Sequence, residues 1–304
     1  NNFYVLILLK KKFKFDICIC GYSFKDSIYK LDNFPLENTN RSYNAEVSYK
    51  FGGVFNTLRG LRYLDRKIKI KTVTILGKDS DGLEAIKELN KLKINHESVI
   101  FNNKTSNSLH LINRKKNTKT FIVQFNNKKI NNFKNIDDSQ WIHFMYLDNK
   151  EFLDQFNKLI LNKKENQFFS ADLSKRSFSK LNLKKYLYKL DFLICSTKEL
   201  PSLFSSQKCI EFNKYSINKL KNLSKIIKFI VVHNKKKSLS FIDGRQIEVK
   251  NRINTSNANV NITGAGDTYA AYIIFDLFNK KMIDNKSILK AHKFSSEYCL
   301  GKLY

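Results

Sequence analysis

A chain of 304 residues, 42% of them hydrophobic, can bury a substantial core on one or two domains, which excludes a disordered protein. No stretch approaches the roughly 18–20 apolar residues that a membrane span needs, so no membrane partner is expected. The 55 Lys and Arg against 27 Asp and Glu leave a net charge of +28, which would ordinarily suggest a polyanionic partner. Lysine, however, recurs with Asn, Ile and Phe in every segment, while Gly (10), Pro (2) and Trp (1) are scarce. That pattern is a general residue bias rather than a nucleic-acid footprint, and no helix-turn-helix, zinc-finger or RNA-recognition signature accompanies it.

Residues 1–12 place Lys10, Lys11 and Lys12 after a short apolar run, the reverse of a secretory signal, and are read as a fragment boundary, an N-terminal extension or an organellar presequence, outside the fold. From residue 13 the chain alternates strand and helix. Residues 13–20 form a strand that ends at Gly21. Residues 22–50 contain no helical period. After Gly53, Val54, Leu58, Leu61 and Leu64 lie on one helical stripe, followed by a buried strand at 72–76. A second helix over 81–92 repeats Leu83, Ile86, Leu89 and Leu92. Residues 96–125 read as a hairpin, with strands at 108–113 and 119–125 around a polar tip. Further strands fall at 141–147, 168–173, 192–195 and 229–233, separated by helical stretches. The alternation predicts an α/β fold with a mostly parallel sheet covered on both faces. The two segments that break it, 22–50 and 96–125, are expected to pair into a small β-lid over a ligand crevice at the strand ends. Residues 13–304 then form one domain, with no linker dividing it.

The cysteines (Cys18, Cys20, Cys195, Cys209, Cys299) are odd in number and form no CxxC, as expected of small core hydrophobes in a reducing, cytoplasmic compartment. His96, His110, His143, His233 and His292 never fall at metal-ligand spacing.

The segment richest in chemistry is 261–275. Its Gly264-Ala265-Gly266 turn leads into an apolar helix whose first turn holds Asp267. Small residues let backbone N–H groups converge at a helix start, where the dipole favours an anion. Asp267 is there either an N-cap or a general base beside a transferring phosphate. No GxxxxGK[ST] occurs, so the turn is not a Walker loop.

These residues resemble the ribokinase-like (PfkB-type) carbohydrate and nucleoside kinase family, over roughly residues 13–301. The family's late signature, Asp-Thr-x-Gly-Ala-Gly-Asp-x-Phe, corresponds to Asn261–Tyr269, and its early Gly-Gly…Asn signature to Gly52, Gly53 and Asn56. Residues 77–82 match its Gly-x-Asp-x-x-Gly turn, 172–176 its Asp-Pro-x-x-Arg segment, and 196–199 its Asn-x-x-Glu; 21–26 with 33–35 resemble its first substrate-binding turn. The resemblance implies an ATP-dependent phosphotransferase acting on a hydroxyl of a sugar, sugar derivative or nucleoside. In that scheme Asp267 is the general base and Gly264, Ala265 and Gly266 form the anion hole. Asp26, Gly52, Gly53 and Asn56 bind the acceptor, and Ser196, Thr263 and His292 lie on the ATP side. Glu199 holds Mg²⁺ through water, and a lid-mediated homodimer is among the assemblies it admits. The sequence departs from the family at Asn261, Ile262, Ser196, Phe51 and Phe24, and at 233–238, which lacks the glycines of a nucleotide-side turn. Those departures keep a binding-only pseudokinase as the alternative, with a basic nucleic-acid-binding protein behind it.

Overall fold

Within residues 15–20 Ile17, Cys18, Ile19 and Cys20 are all wholly buried, so this strand must be covered on both faces. A computed structural model shows how; it describes residues 13–35, 44–116, 118–126, 136–146, 150–172, 187–251 and 263–303. The extension 1–12, Asn261, Ile262 and the stretch 173–176 lie outside those residues.

In chain order the elements are β1 (Phe15–Cys20), β2 (Ser23–Leu31), β3 (Glu46–Gly53), α1 (Val54–Leu64), β4 (Ile70–Val73), β5 (Ile75–Gly77), α2 (Ser80–Lys91), β6 (Ile100–Asn102), β7 (Asn107–Asn113), β8 (Thr118–Gln124), β9 (Ser139–Met145), α3 (Lys150–Leu161), β10 (Phe168–Asp172), β11 (Phe192–Ser196), α4 (Leu200–Leu203), α5 (Lys214–Leu223), β12 (Phe229–His233), β13 (Lys237–Ile242), β14 (Arg245–Lys250), α6 (Ala265–Lys280) and α7 (Asn285–Cys299). The main sheet has eight strands in the order β14-β13-β12-β11-β10-β9-β1-β4. It is parallel from β4 to β12 and antiparallel at β13 and β14. Alternate residues of its strands feed two cores: Cys18, Cys20, Phe144 and Phe169 on one face, and Ile17, Ile19, Trp141 and Phe192 on the other. The second core is closed by Val54, Leu58 and Leu61 of α1 and by Ile273, Ile274 and Leu277 of α6.

Three details differ from the sequence expectations. The single strand expected at 72–76 divides into β4, at the edge of the main sheet, and β5, which pairs parallel with β6 in a separate two-stranded sheet. On α2 the buried positions are Gly82, Ala85 and Leu89, and Leu83 is exposed. The Asp79 side chain caps the helix by accepting from the Gly82 N–H at 2.9 Å, and that start turns Leu83 outward. The β13–β14 hairpin, absent from the strand pattern read above, closes through Asp243 and Gly244, both at positive φ (46° and 80°), as a type I′ turn requires.

A second sheet of four strands, β3-β2-β7-β8, is built from the two segments that broke the alternation. β2 pairs antiparallel with β3 (Asp26 opposite Lys50) and parallel with β7 (Asp26 opposite Ser108), and β7 pairs with β8 (His110 opposite Phe121). The two-residue period of a strand therefore places Phe24, Asp26, Lys50, Gly52, Ser108, His110, Phe121 and Val123 on one face of this sheet.

Candidate active site

That face meets the carboxyl ends of the main strands around a cavity of about 640 Å³. The crevice beyond the strand ends is where open α/β sheets bind ligands. Tyr22, Phe24, Phe121, Val123 and Phe125 give it an apolar wall, and Asp26, Asn56, Ser108, His110, Lys119, Glu199 and Asp267 supply its polar groups.

At one end stands Asp267, in the first turn of α6. Gly264, the N-cap, has φ 90°, and no side chain caps the helix. A Cβ there would lie 2.7 Å from Asn56 Nδ2 and 2.8 Å from the Tyr298 hydroxyl, so only glycine fits the turn. The first N–H groups of α6 have no helical acceptor and, with the dipole, make the turn suited to phosphate. The Asp267 carboxylate is buried. Its Oδ2 accepts from Asn56 Nδ2 at 2.8 Å and its Oδ1 accepts from the Tyr146 hydroxyl. Burial raises its pKa, while the Tyr146 and Asn56 donors and the charges of Lys50 and Lys119 pull it back down. The result is a carboxylate held in place with a proton affinity above the ordinary, the combination a general base needs. Burial and the nearby Asp267 push the Tyr146 phenol well up, so it remains a donor.

At the other end Asp26, also buried, accepts from Ser108 Oγ at 2.5 Å, with His110 Nε2 3.4 Å away. Gly52 has no side chain because a Cβ would collide with the Asp26 carboxylate. The cavity is therefore lined by two buried carboxylates, Asp26 held by Ser108 and Asp267 held by Asn56 on α1.

The remaining candidates divide. Gly53, Thr263, Gly264 and Glu199 line the cavity; Gly52, Ser196, Ala265, Gly266 and His292 are not among its lining residues. Glu199 and Ser196 form a reciprocal cap in which the Ser196 N–H donates to Glu199 Oε2 at 2.7 Å. Asp172, at the end of β10, is pushed up by burial and by the neighbouring Asp267 and Glu199 carboxylates. His292 is buried behind α6, its Nε2 2.9 Å from Ser238 Oγ, with the Tyr269 ring in tilted contact with both it and His233. Burial holds His292 down at about 4, so it is neutral there. Among the described residues no group of three or more His, Cys, Asp or Glu forms a metal cage, and no helix is long and apolar enough to cross a membrane.

Solved structures share this architecture. A ribokinase from Thermotoga maritima superposes with a TM-score of 0.70 at 17% identity, covering 94% of this chain and 93% of its own. A nucleoside kinase of the ribokinase family from Methanocaldococcus jannaschii gives 0.68 at 18% identity, with 93% and 90% covered. A ribokinase from Giardia lamblia gives 0.72 at 14% identity, with 93% and 92% covered. The fold is thus ribokinase-like. Residues 14–299 match the pfkB family of carbohydrate kinases, and the chain belongs to that family. Comparison with curated protein sequences finds no match.

Proposed function

We propose that the protein transfers the γ-phosphoryl group of ATP to a hydroxyl of a sugar, sugar derivative or nucleoside. The observation that carries this reading is Asp267: a buried carboxylate at the cavity floor, fixed by Asn56 and Tyr146 and one turn from the uncapped start of α6. Asp267 takes the proton of the acceptor hydroxyl as that oxygen attacks phosphorus. The N–H groups of Gly264, Ala265 and Gly266 hold the charge that develops on the transferring oxygens. Asp26 and Asn56, with the backbone at Gly52 and Gly53, bind the acceptor's other hydroxyls. The second sheet, in this reading, is the lid that excludes water from the reacting phosphate. Ser196 and Thr263 border the donor side, whereas the buried position of His292 suits support of that side through Tyr269.

Magnesium, when bound, neutralises phosphate charge and orients the oxygens. Glu199, whose Oε2 already accepts from the Ser196 N–H, fits an ion held mainly by phosphate and water. Glu199 would reach such an ion through water. The five cysteines, all free and buried, fit a cytoplasmic enzyme.

A screen of acceptors with Mg-ATP, comparing wild type with Asp267→Ala, tests the reading. Loss of the base should lower kcat by about 10²-fold or more. Equal turnover in the two proteins would overturn it, and turnover by the wild type with any acceptor excludes the pseudokinase alternative.

A further inference from the structure

Lys50 belongs to none of the motifs that mark the site, yet its side chain reaches the foot of the phosphate-side turn. It sits opposite Asp26 in the β2–β3 ladder, two residues before Gly52 and on the same face. Its ammonium donates to the Thr263 carbonyl at 3.0 Å and to the Tyr298 hydroxyl at 2.5 Å, and that hydroxyl donates on to the same carbonyl at 2.7 Å. Two side chains far apart in sequence thus close on a single oxygen of a third segment. The oxygen belongs to the peptide that carries the Gly264 N–H. In a trans peptide the C=O and N–H point in opposite directions, so fixing the Thr263 oxygen fixes where the Gly264 N–H is aimed. A glycine at φ 90° has wide torsional freedom, and without such a tie that peptide could rotate away.

We propose that Lys50 is a positioning residue for the anion-binding turn, strapping the second sheet to the Thr263–Gly264 peptide and holding that turn with its N–H donors presented. The inference rests on the phosphoryl-transfer reading above. It extends it by making the orientation of the phosphate-side turn depend on a residue of the second sheet.

The strap also carries a charge that can be removed. The groups facing Lys50 are Asp26 on β2, Arg59 on α1, Lys119 on β8, Asp267 on α6, and Tyr298 and Cys299 on α7. Burial, Arg59 and Lys119 lower its pKa; Asp26 and Asp267 raise it; burial prevails, and the group falls from 10.5 to about 8. A charged donor makes the stronger hydrogen bond, so the strap weakens as pH rises through that value.

The test is the pH dependence of kcat from pH 6 to 10 for wild type, Lys50→Arg, Lys50→Met and Tyr298→Phe, with whichever acceptor the screen identifies. Wild-type kcat is expected to decline on an alkaline limb near pH 8. Lys50→Arg, which cannot lose its proton in this range, should lack that limb. Lys50→Met should run about 10-fold below wild type at pH 7 with no limb of its own, Tyr298→Phe should lower kcat severalfold, and acceptor KM should change less than kcat in both. An alkaline limb that persists in Lys50→Arg, or a Lys50→Met profile equal to wild type, would overturn the proposal while leaving phosphoryl transfer intact. Absence of turnover in the wild type with every acceptor would instead overturn the transfer reading itself.

A second readout needs no activity. The folded pKa lies below the unfolded one, so between about pH 8 and 10.5 the unfolded chain binds the extra proton and stability rises with pH. Melting temperatures of wild type should therefore gain on those of Lys50→Met across that window. Curves that stay parallel would show that Lys50 is not held in this half-buried strap, and would sink the proposal.

Discussion

Gly264 at the head of α6 lines the cavity near Asp267, Gly52 on β3 lies behind the Asp26 carboxylate, and each is glycine for a different reason. Gly264 holds a left-handed backbone, φ 90°, in a turn packed against Asn56 and Tyr298. Gly52 needs no special φ; it leaves room for the Asp26 carboxylate. The first glycine shapes backbone donors, and the second shapes a side-chain pocket. The elements around them differ in the same sense. α6 packs into a core shared with α1, α7 and the main sheet. The second sheet has one face on the cavity and another that leaves Tyr49 and Ile122 62% exposed. In the proposed reading, chemistry is placed on the well-packed part of the molecule, and acceptor recognition on a sheet with one exposed face.

One substitution made at both ends can break that division. Gly264→Ala forces a β-carbon into the left-handed region, at about 1–2 kcal/mol, and crowds Asn56, which holds Asp267. The expected result is a loss of about 10²-fold in kcat, a melting temperature lower by about 4 °C, and an acceptor KM that changes less. Gly52→Ala carries no backbone strain, but its methyl displaces the Asp26 carboxylate from Ser108. Acceptor KM should rise about 10-fold with kcat within about threefold of wild type. If Gly52→Ala lowered kcat and spared KM, or Gly264→Ala did the reverse, the two ends would not have separate tasks.

Much of this arrangement was legible in the sequence, because it is written in local signals. Double-sided burial produces the apolar runs of β1, β9, β11 and β12, and the helical stripe after Gly53 is α1. Asp26, Asn56, Gly264 and Asp267 were singled out by short motifs, and the structure brings them to one cavity. What escaped is long-range or half-polar. β13 buries Ser238 and Ser240, so its pattern does not read as a core strand, although Asp243-Gly244 is itself a hairpin signal. The outward turn of Leu83 follows from the cap at Asp79, which apolar spacing does not encode. Lys50 meets partners 213 and 248 residues away, which no local pattern records. His292 was placed on the nucleotide side by resemblance, and its bond to Ser238 depends on the unrecognised hairpin.

Tyr146 is the most instructive of the residues not anticipated, and it sharpens the catalytic half of the comparison. It falls within the apolar run 141–147 and looks like one more core residue. Yet the strand stops at Met145, and Tyr146 takes a positive φ of 55°, a conformation uncommon for a bulky residue. There its N–H donates to the Asp172 carbonyl at 3.0 Å and its hydroxyl donates to Asp267 Oδ1. That bond favours the ionised form of Asp267 and opposes the upward pull of burial. In Tyr146→Phe the carboxylate loses a donor and its pKa rises further. Since the base works only when ionised, activity is lost as pH falls through that pKa, and the acidic limb of kcat should move to higher pH. At neutral pH the loss should be severalfold, the size of one hydrogen bond worth ~1 kcal/mol, and it should shrink as pH rises. A Tyr146→Phe profile that coincided with wild type on the acidic side would remove Tyr146 from the catalytic end and leave Asn56 as the residue that holds Asp267.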